Sequence, residues 1–427
     1  MGRKAIAKAT QWQPILSGSL ADEVARTVTE VAEEILERRD ELSAGKSPPE
    51  IAIANAETAL FYGYLAQARG SARYEAVAAD LLFNARSSLA EAEISPWLYD
   101  GLAGVAWMSV HLDSLSNGGI RDDVYLDVDC AILDVVTQKP WTDSYDLIYG
   151  LVGLGIYFLE RLPDSHAETG LNAIIDRLEE TVEITPAGFR WLTRPDWLSE
   201  PESSLTPHGY YALGMAHGIA GVISFLASLF KTGIARERAK RLLEGSVKWL
   251  VSQQGYSRTE EKYPRCVGPG VQPDGFFGWC WGDAGIAAAL IAAACALDNN
   301  EWRSNAIDLA SNAARQRTTR PKDSCLCHGA AGHGHIFNRL YQATMHAPLK
   351  EGSIYWFERA LDLRRSGEEV LGGFAYFVPG PGGEKKYYDL PGFLIGASGT
   401  ALALLAATTA TNPGWDRRLL LSTARIE

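Results

Sequence analysis

Two short stretches of this 427-residue chain gather the residues able to do chemistry. Ser324-Cys325-Leu326-Cys327-His328-Gly329-Ala330-Ala331-Gly332-His333-Gly334-His335 sets two thiols and three imidazoles, both soft metal-ligand types, among small residues that let backbones approach closely. Upstream, Phe277-Gly278-Trp279-Cys280-Trp281-Gly282-Asp283-Ala284-Gly285 carries another cysteine two residues before a glycine and opens an Ala-rich helical run. Zinc binds thiolate sulfur and imidazole nitrogen well, and a catalytic zinc site supplies three protein ligands and keeps the fourth tetrahedral position for water or substrate. Cys280, Cys327 and His328 match that count. Their spacing is not a finger-type pattern, and taken alone it favours small buried hydrophobes and a satisfied core histidine.

Charge and composition narrow the partners. With 52 acidic against 40 basic residues the net charge is −12, which offers no electrostatic grip on phosphate backbones or anionic lipid, so nucleic acid is not an expected partner. No stretch approaches the roughly 20 apolar residues of a membrane span. The amino-terminal MGRKAIAKATQWQPILSGS lacks an apolar core after its positive charges, and Ile6 stands where a myristoylation signal needs Ser or Thr. A soluble, cytoplasmic protein without membrane insertion is expected. The six cysteines, Cys130, Cys266, Cys280, Cys295, Cys325 and Cys327, are too few and too irregular for a disulfide framework. Hydrophobic residues at 47% suffice for a sizeable core, read as a single domain over residues 1–427.

The elements that must position the thiols follow from periodicity. Apolar spacing predicts a first helix over 20–45 with Ser19 as its cap and, after a break at Pro48-Pro49, a second from Ile51 to Ala68. The chain then repeats one unit, an amphipathic helix, a loop, a glycine step and a uniformly apolar helix. Copies of the step lie at Tyr99–Trp107, Tyr145–Gly155, Leu213–Val222, Trp281–Ile286, Cys327–His333 and Phe393–Ala401, and the glycine-poor Thr58–Tyr64 counts as a degenerate seventh. Helices apolar all round are buried on all sides, so these form an inner ring and the amphipathic ones an outer ring. The expected fold is all-α, an α/α toroid of seven helical hairpins whose glycine steps share one cavity at one end. Alternating stretches near 182–193 and 373–390 predict two short β-hairpin insertions, the second placed as a lid.

With the steps aligned, the chain resembles the lanthionine synthetase C-like family, the cyclases of class I lanthipeptide biosynthesis, from about residue 20 to about residue 410. The resemblance rests on Ala216-His217-Gly218, Trp279-Cys280-Trp281-Gly282, Cys327-His328-Gly329 and Asp389-Leu390-Pro391-Gly392-Phe393-Leu394-Ile395-Gly396, in that order. It implies Zn²⁺ held by Cys280, Cys327 and His328, a catalytic histidine at His217 and a catalytic carboxylate at Asp146. It further implies a dehydrated precursor peptide with a leader as substrate, and a separate dehydratase and transporter as partners. The implied reaction adds cysteine thiolates to dehydroalanine or dehydrobutyrine to form thioether rings. A well-known member of the family carries an arginine four positions before the zinc cysteine and a tyrosine directly after it, where this chain has Phe276 and Trp281.

Each residue also has a plainer role. Asp146 is placed to cap an inner helix, and Asp283 sits where a helix N-terminus welcomes its charge. His333 and His335 read as packing or water-facing residues, Cys325 as a spare thiol, His208 as a residue lining the approach, and Trp281 as the tryptophan in reach of peptide. Three further activities stay open: addition of glutathione or another thiol to dehydrated residues, a non-catalytic zinc- and peptide-binding scaffold, and a glycoside-processing α/α barrel. The last needs paired carboxylates across the cavity.

Overall fold

Fourteen long helices and two short ones make up most of the chain, and the apolar ones have protein on every side. In this computed structural model residues 12–89, 93–115, 124–318, 320–365, 370–380 and 384–422 are described. In chain order the helices are α1 (Gly18–Glu37), α2 (Arg39–Ser43), α3 (Pro48–Arg69), α4 (Ala72–Leu89), α5 (Leu102–Leu115) and α6 (Leu126–Thr137). Then come α7 (Leu151–Arg161), α8 (Ser165–Thr181), α9 (Glu202–Leu205), α10 (Ile219–Thr232) and α11 (Arg236–Ser252). The last are α12 (Asp283–Leu297), α13 (Asn300–Arg315), α14 (Ala330–Thr344), α15 (Ala347–Asp362) and α16 (Ala397–Thr408).

Seven of them close a ring. α3 packs on α5, α5 on α7, α7 on α10, α10 on α12, α12 on α14, α14 on α16, and α16 returns to α3. Outside it, α4, α6, α8, α11, α13 and α15 each cover the inner helix that precedes them, while α1 covers α16 and so joins the two ends of the chain. Ile15 and Leu16 strengthen that seam by donating their N–H groups to Ala407 O at 2.9 and 3.1 Å, and Trp12 Nε1 donates to Ala406 O at 2.8 Å. This is the α/α toroid that the apolar periodicity predicts.

The glycine steps are built by close approach. Gly104, Gly153, Gly221, Gly285, Gly332 and Gly399 each lie one turn into an inner helix, and a Cβ at any of them would overlap the carbonyl of the sixth residue before it, from Leu98 O to Phe393 O. Only glycine lets the entering loop fold back that tightly. Neighbouring steps then bond around the mouth of the ring. Leu147 N–H donates to Ala216 O at 3.2 Å, Ala216 N–H to Cys280 O at 3.1 Å, Trp279 N–H to Cys327 O at 2.9 Å, and Cys327 N–H to Leu394 O at 3.1 Å.

Some boundaries differ from expectation. α1 starts at Gly18, so Ser19 lies inside it and Ser17 is the cap residue; Arg38 ends it and α2 follows. Pro48-Pro49 begins α3 rather than breaking it, because proline at the first helical position forfeits no needed N–H. Ser47 N–H and hydroxyl both donate to the Glu50 carboxylate there, at 2.8 and 2.6 Å. Thr58–Tyr64 is therefore mid-helix and forms no step. Both expected hairpins are present, β1 (Glu183–Thr185) with β2 (Gly188–Arg190) and β5 (Tyr376–Pro379) with β6 (Lys385–Tyr388). A third pair, β3 (Tyr211–Ala212) with β4 (Cys266–Val267), joins the loops ahead of α10 and α12. The reading of the first eleven residues, and the Pro381-Gly382-Gly383 tip of the second hairpin, fall outside the described residues. No helix among the described residues is long and apolar enough to cross a membrane.

Candidate active site

The steps deliver a repeated position to the mouth of the ring. Directly before the glycine that leads into each of these inner helices stand Asp100, Tyr149, His217, Trp281, His328 and Ile395, and one residue earlier stand Cys280 and Cys327. Equivalent positions in a closed ring converge, which is how residues far apart in sequence meet.

Cys280, Cys327 and His328 do meet, their ligand atoms all within 4.8 Å of one another. The arrangement is unfavourable for free thiols. The Cys327 thiol is pushed well up, first by its hydrogen bond with Cys280 and then by burial. Burial alone would hold His328 neutral, yet its hydrogen bond with Cys327 and the charge there raise its pKa. Two sulfurs, one buried and one half-buried, and an imidazole that crowd one point are relieved by a cation, and the donor set suits zinc with one coordination position left open. Phe276 and Tyr376, the latter on β5, flank the His328 ring at 5.9 Å each.

A second pair lies beside it. His217 Nδ1 is 2.8 Å from Asp146 Oδ2, while Asp146 Oδ1 accepts the Tyr149 N–H at 2.7 Å. Asp146 thus caps its step with one oxygen and holds the imidazole with the other. Its side chain is 8% exposed and that of His217 31%, so the ring is held through Nδ1 and partly open to solvent. Trp281, next to Cys280, stacks on His217 at 5.3 Å, and Tyr149 flanks the ring at 5.9 Å.

The other singled-out residues separate cleanly. Cys325 is buried outside the trio. His333 and His335 are buried too, which settles them as packing residues and not water-facing ones: His333 stacks on Phe277 at 4.1 Å and His335 binds Asp416 at 2.8 Å. Trp279 is buried with Nε1 on Leu419 O at 3.0 Å, and His208 is exposed. Asp283 accepts the Lys262 and Tyr263 N–H groups at 2.7 and 3.1 Å, and burial lifts its carboxyl to about 6. Asp323 escaped the sequence reading because no repeat marks it. Its carboxylate accepts the Cys325 N–H at 3.1 Å and the Phe377 N–H at 3.0 Å, tying the lid hairpin to the loop that carries Cys327 and His328. Those amides occupy both its oxygens, although it also lies within 4.8 Å of Cys325 and His328 as a possible ligand group.

Comparisons with known proteins give the family and the fold. The Nisin biosynthesis protein NisC of Lactococcus lactis subsp. lactis is 24% identical over 254 residues, 55% of this chain and 60% of that protein, so the alignment leaves about two fifths of the relative unmatched. The solved structure of Nisin cyclase superposes with a TM-score of 0.72 at 20% identity, covering 94% of this chain and 98% of that one, which establishes the fold. The sequence profile for Lanthionine synthetase C-like protein matches residues 55–420, and the chain belongs to that family.

Proposed function

We propose that this protein is a zinc-dependent lanthipeptide cyclase acting on a dehydrated, cysteine-containing precursor peptide, with Cys280, Cys327 and His328 as metal ligands. The convergence of these three donors to within 4.8 Å, beside an open histidine, carries the reading. Bound zinc would supply a Lewis acid that lets a substrate thiol ionise near neutral pH, where a free thiol stays mostly protonated. In the reaction a sulfur–Cβ bond forms as the dehydroalanine or dehydrobutyrine double bond breaks. The thiol proton is given up and Cα takes a proton, so the peptide's mass is unchanged.

His217 is assigned the proton delivered to Cα. An unperturbed imidazole titrates near working pH, and with Nδ1 held by Asp146 the ring offers Nε2. Asp146 fixes the ring through Nδ1. Trp281 and Tyr149 hold the ring from its faces and narrow water's access to it. Tyr376 and Phe276 wall the His328 side with aromatic surface, which suits an apolar stretch of peptide beside the reacting cysteine. The whole chain, residues 1–427, is read as one domain, because the ring closes only when α16, near one end of the chain, packs on α3, near the other. A leader-bearing precursor, a separate dehydratase and a transporter are the partners this reading calls for.

The test is zinc content together with thiol consumption. Purified protein should hold about one zinc per chain and protect a dehydrated peptide's cysteines from alkylation without a change in mass. A protein that holds zinc but consumes added glutathione, leaving the peptide's own thiols free, would make thiol addition the function. Zinc without any turnover would make it a scaffold.

A further inference from the structure

Residues 414–422, the last described, do not trail over the surface; they run into the ring. Asp416 binds His335 and Arg339 of α14, each at 2.8 Å, and Arg417 binds His111 of α5 at 2.8 Å and Glu160 of α7 at 3.0 Å. Arg418 binds Glu57 of α3 at 3.0 Å. Leu419 O accepts Trp279 Nε1, just before α12, and the Arg418 guanidinium lies 5.1 Å from the Phe393 ring, just before α16. Arg417 and Leu420 share a cavity of about 160 Å³ with Ser228 and Thr232 of α10. A segment in reach of all seven inner helices lies on the axis of the ring. Trp415, Asp416 and Arg418 are fully buried, and a chain keeps charges there only when each finds a partner.

Arg418 also completes the mouth. Around most of it one step hydrogen-bonds to the next, but α3 passes straight through as helix and has no step to offer. Glu57 and Arg418 stand in its place. Glu57 Oε2 accepts the Phe393 N–H at 2.9 Å, Oε1 takes Arg418 Nη1, and Arg418 Nη2 donates to Leu98 O at 3.0 Å. The Tyr99 hydroxyl donates to Arg418 O at 2.8 Å and its ring lies 4.4 Å from the guanidinium. The next residue after Phe393 is Leu394, whose carbonyl receives the Cys327 N–H.

We propose that the carboxy-terminal segment is an axial positioning element for the candidate metal centre: Arg418, through Glu57, fixes the Phe393-Leu394 step and thereby the backbone that presents Cys327. This rests on the reading of Cys280, Cys327 and His328 as ligands. Arg418 and Glu57 are positioning residues and touch no substrate.

Cobalt(II) reports the result directly, through its thiolate charge-transfer and ligand-field absorption and through its release to a chelator. The full chain is loaded with cobalt as wild type, E57Q, the neutral double variant E57Q/R418M, and D129N/R161M. The last removes an equally buried ion pair between α6 and α7, 2.6 Å long and away from the mouth. Both Glu57 variants should release cobalt about 10-fold faster than wild type, with shifted ligand-field bands. D129N/R161M should be less stable yet keep the wild-type spectrum and release rate. Should E57Q/R418M fold and match wild type in both readouts, or D129N/R161M release metal just as fast, the inference falls. It falls equally if neither Glu57 variant folds, because the segment is then only a stability element. Wild type that binds no cobalt refutes the metal reading itself, a separate outcome seen before any variant is made.

Discussion

Two of the histidine–carboxylate pairs among the described residues, equal in length, sit in opposite settings. His217 meets Asp146 at 2.8 Å at the mouth, and His335 meets Asp416 at 2.8 Å on the axis. At the mouth the imidazole is about one third exposed and one nitrogen is left for substrate. On the axis burial lowers the histidine's pKa, Arg339 shares the carboxylate, and Nδ1 faces apolar surroundings without a partner. A third histidine, His111, has both nitrogens engaged, by Tyr64 on one side and by Glu160 and Arg417 on the other. The pair itself is therefore no sign of chemistry. What distinguishes His217 is a part-exposed ring, held only through Nδ1, beside a thiol cluster.

Removing the thiol cluster is the largest perturbation. C280A leaves two ligands of three, so zinc content should fall from about one per chain to none and cyclisation to background, read by metal analysis and peptide alkylation. H217N should keep zinc. Asparagine can still reach Asp146 from the Nδ1 position but has no Nε2, so turnover should drop about 10²- to 10⁴-fold with metal content unchanged. D146N should cost less, about 10²-fold, because the imidazole remains and loses only its orientation. Equal losses from H217N and H335Q would erase the distinction between mouth and axis.

Legibility followed physical necessity. The six steps could be read because the loop must pass within contact distance of the helix it enters, so glycine recurs there at fixed spacing. The inner ring could be read because Ala-rich helices such as α12 and α16 are buried all round. Asp146 and His217 became a pair only through the resemblance, since a lone Asp-Leu-Ile and a lone Ala-His-Gly have no local reason to meet. Glu57 stayed hidden because it sits on a helix face like any surface glutamate. Its role depends on Arg418, 361 residues away along the chain. Asp323 was missed for a similar reason: it binds backbone amides, and backbone leaves no trace in side-chain spacing.

Acid should destabilise the fold through its buried histidines. Burial takes the His333 imidazole down to about 3, whereas an unfolded histidine titrates near 6.5. The unfolded chain therefore takes up the proton first. Stability is full above pH 6.5 and declines as pH falls towards 3, by about 2 kcal/mol between pH 6.5 and 5 for this residue. His335 is shifted in the same direction. Urea unfolding at pH 7 and pH 5 measures the decline, and H333F, which keeps the stack on Phe277, should flatten it.

The smallest effect should come from H335Q, and it tests the comparison most finely. Glutamine places an N–H donor near the Nε2 position, so Asp416 keeps its neutral partner and Arg339 keeps its ion pair. The unpartnered Nδ1 disappears, and the ring's contact with Trp415 at 4.4 Å is lost. The stacking loss and the removed polar atom oppose each other, leaving a net cost of about 1 kcal/mol, measurable as a lower urea midpoint. Cyclisation should be unchanged, because nothing on this pair opens on the cavity. A drop in turnover with zinc retained would mean that the axis transmits to the mouth through side chains as well as through Arg418 and Glu57.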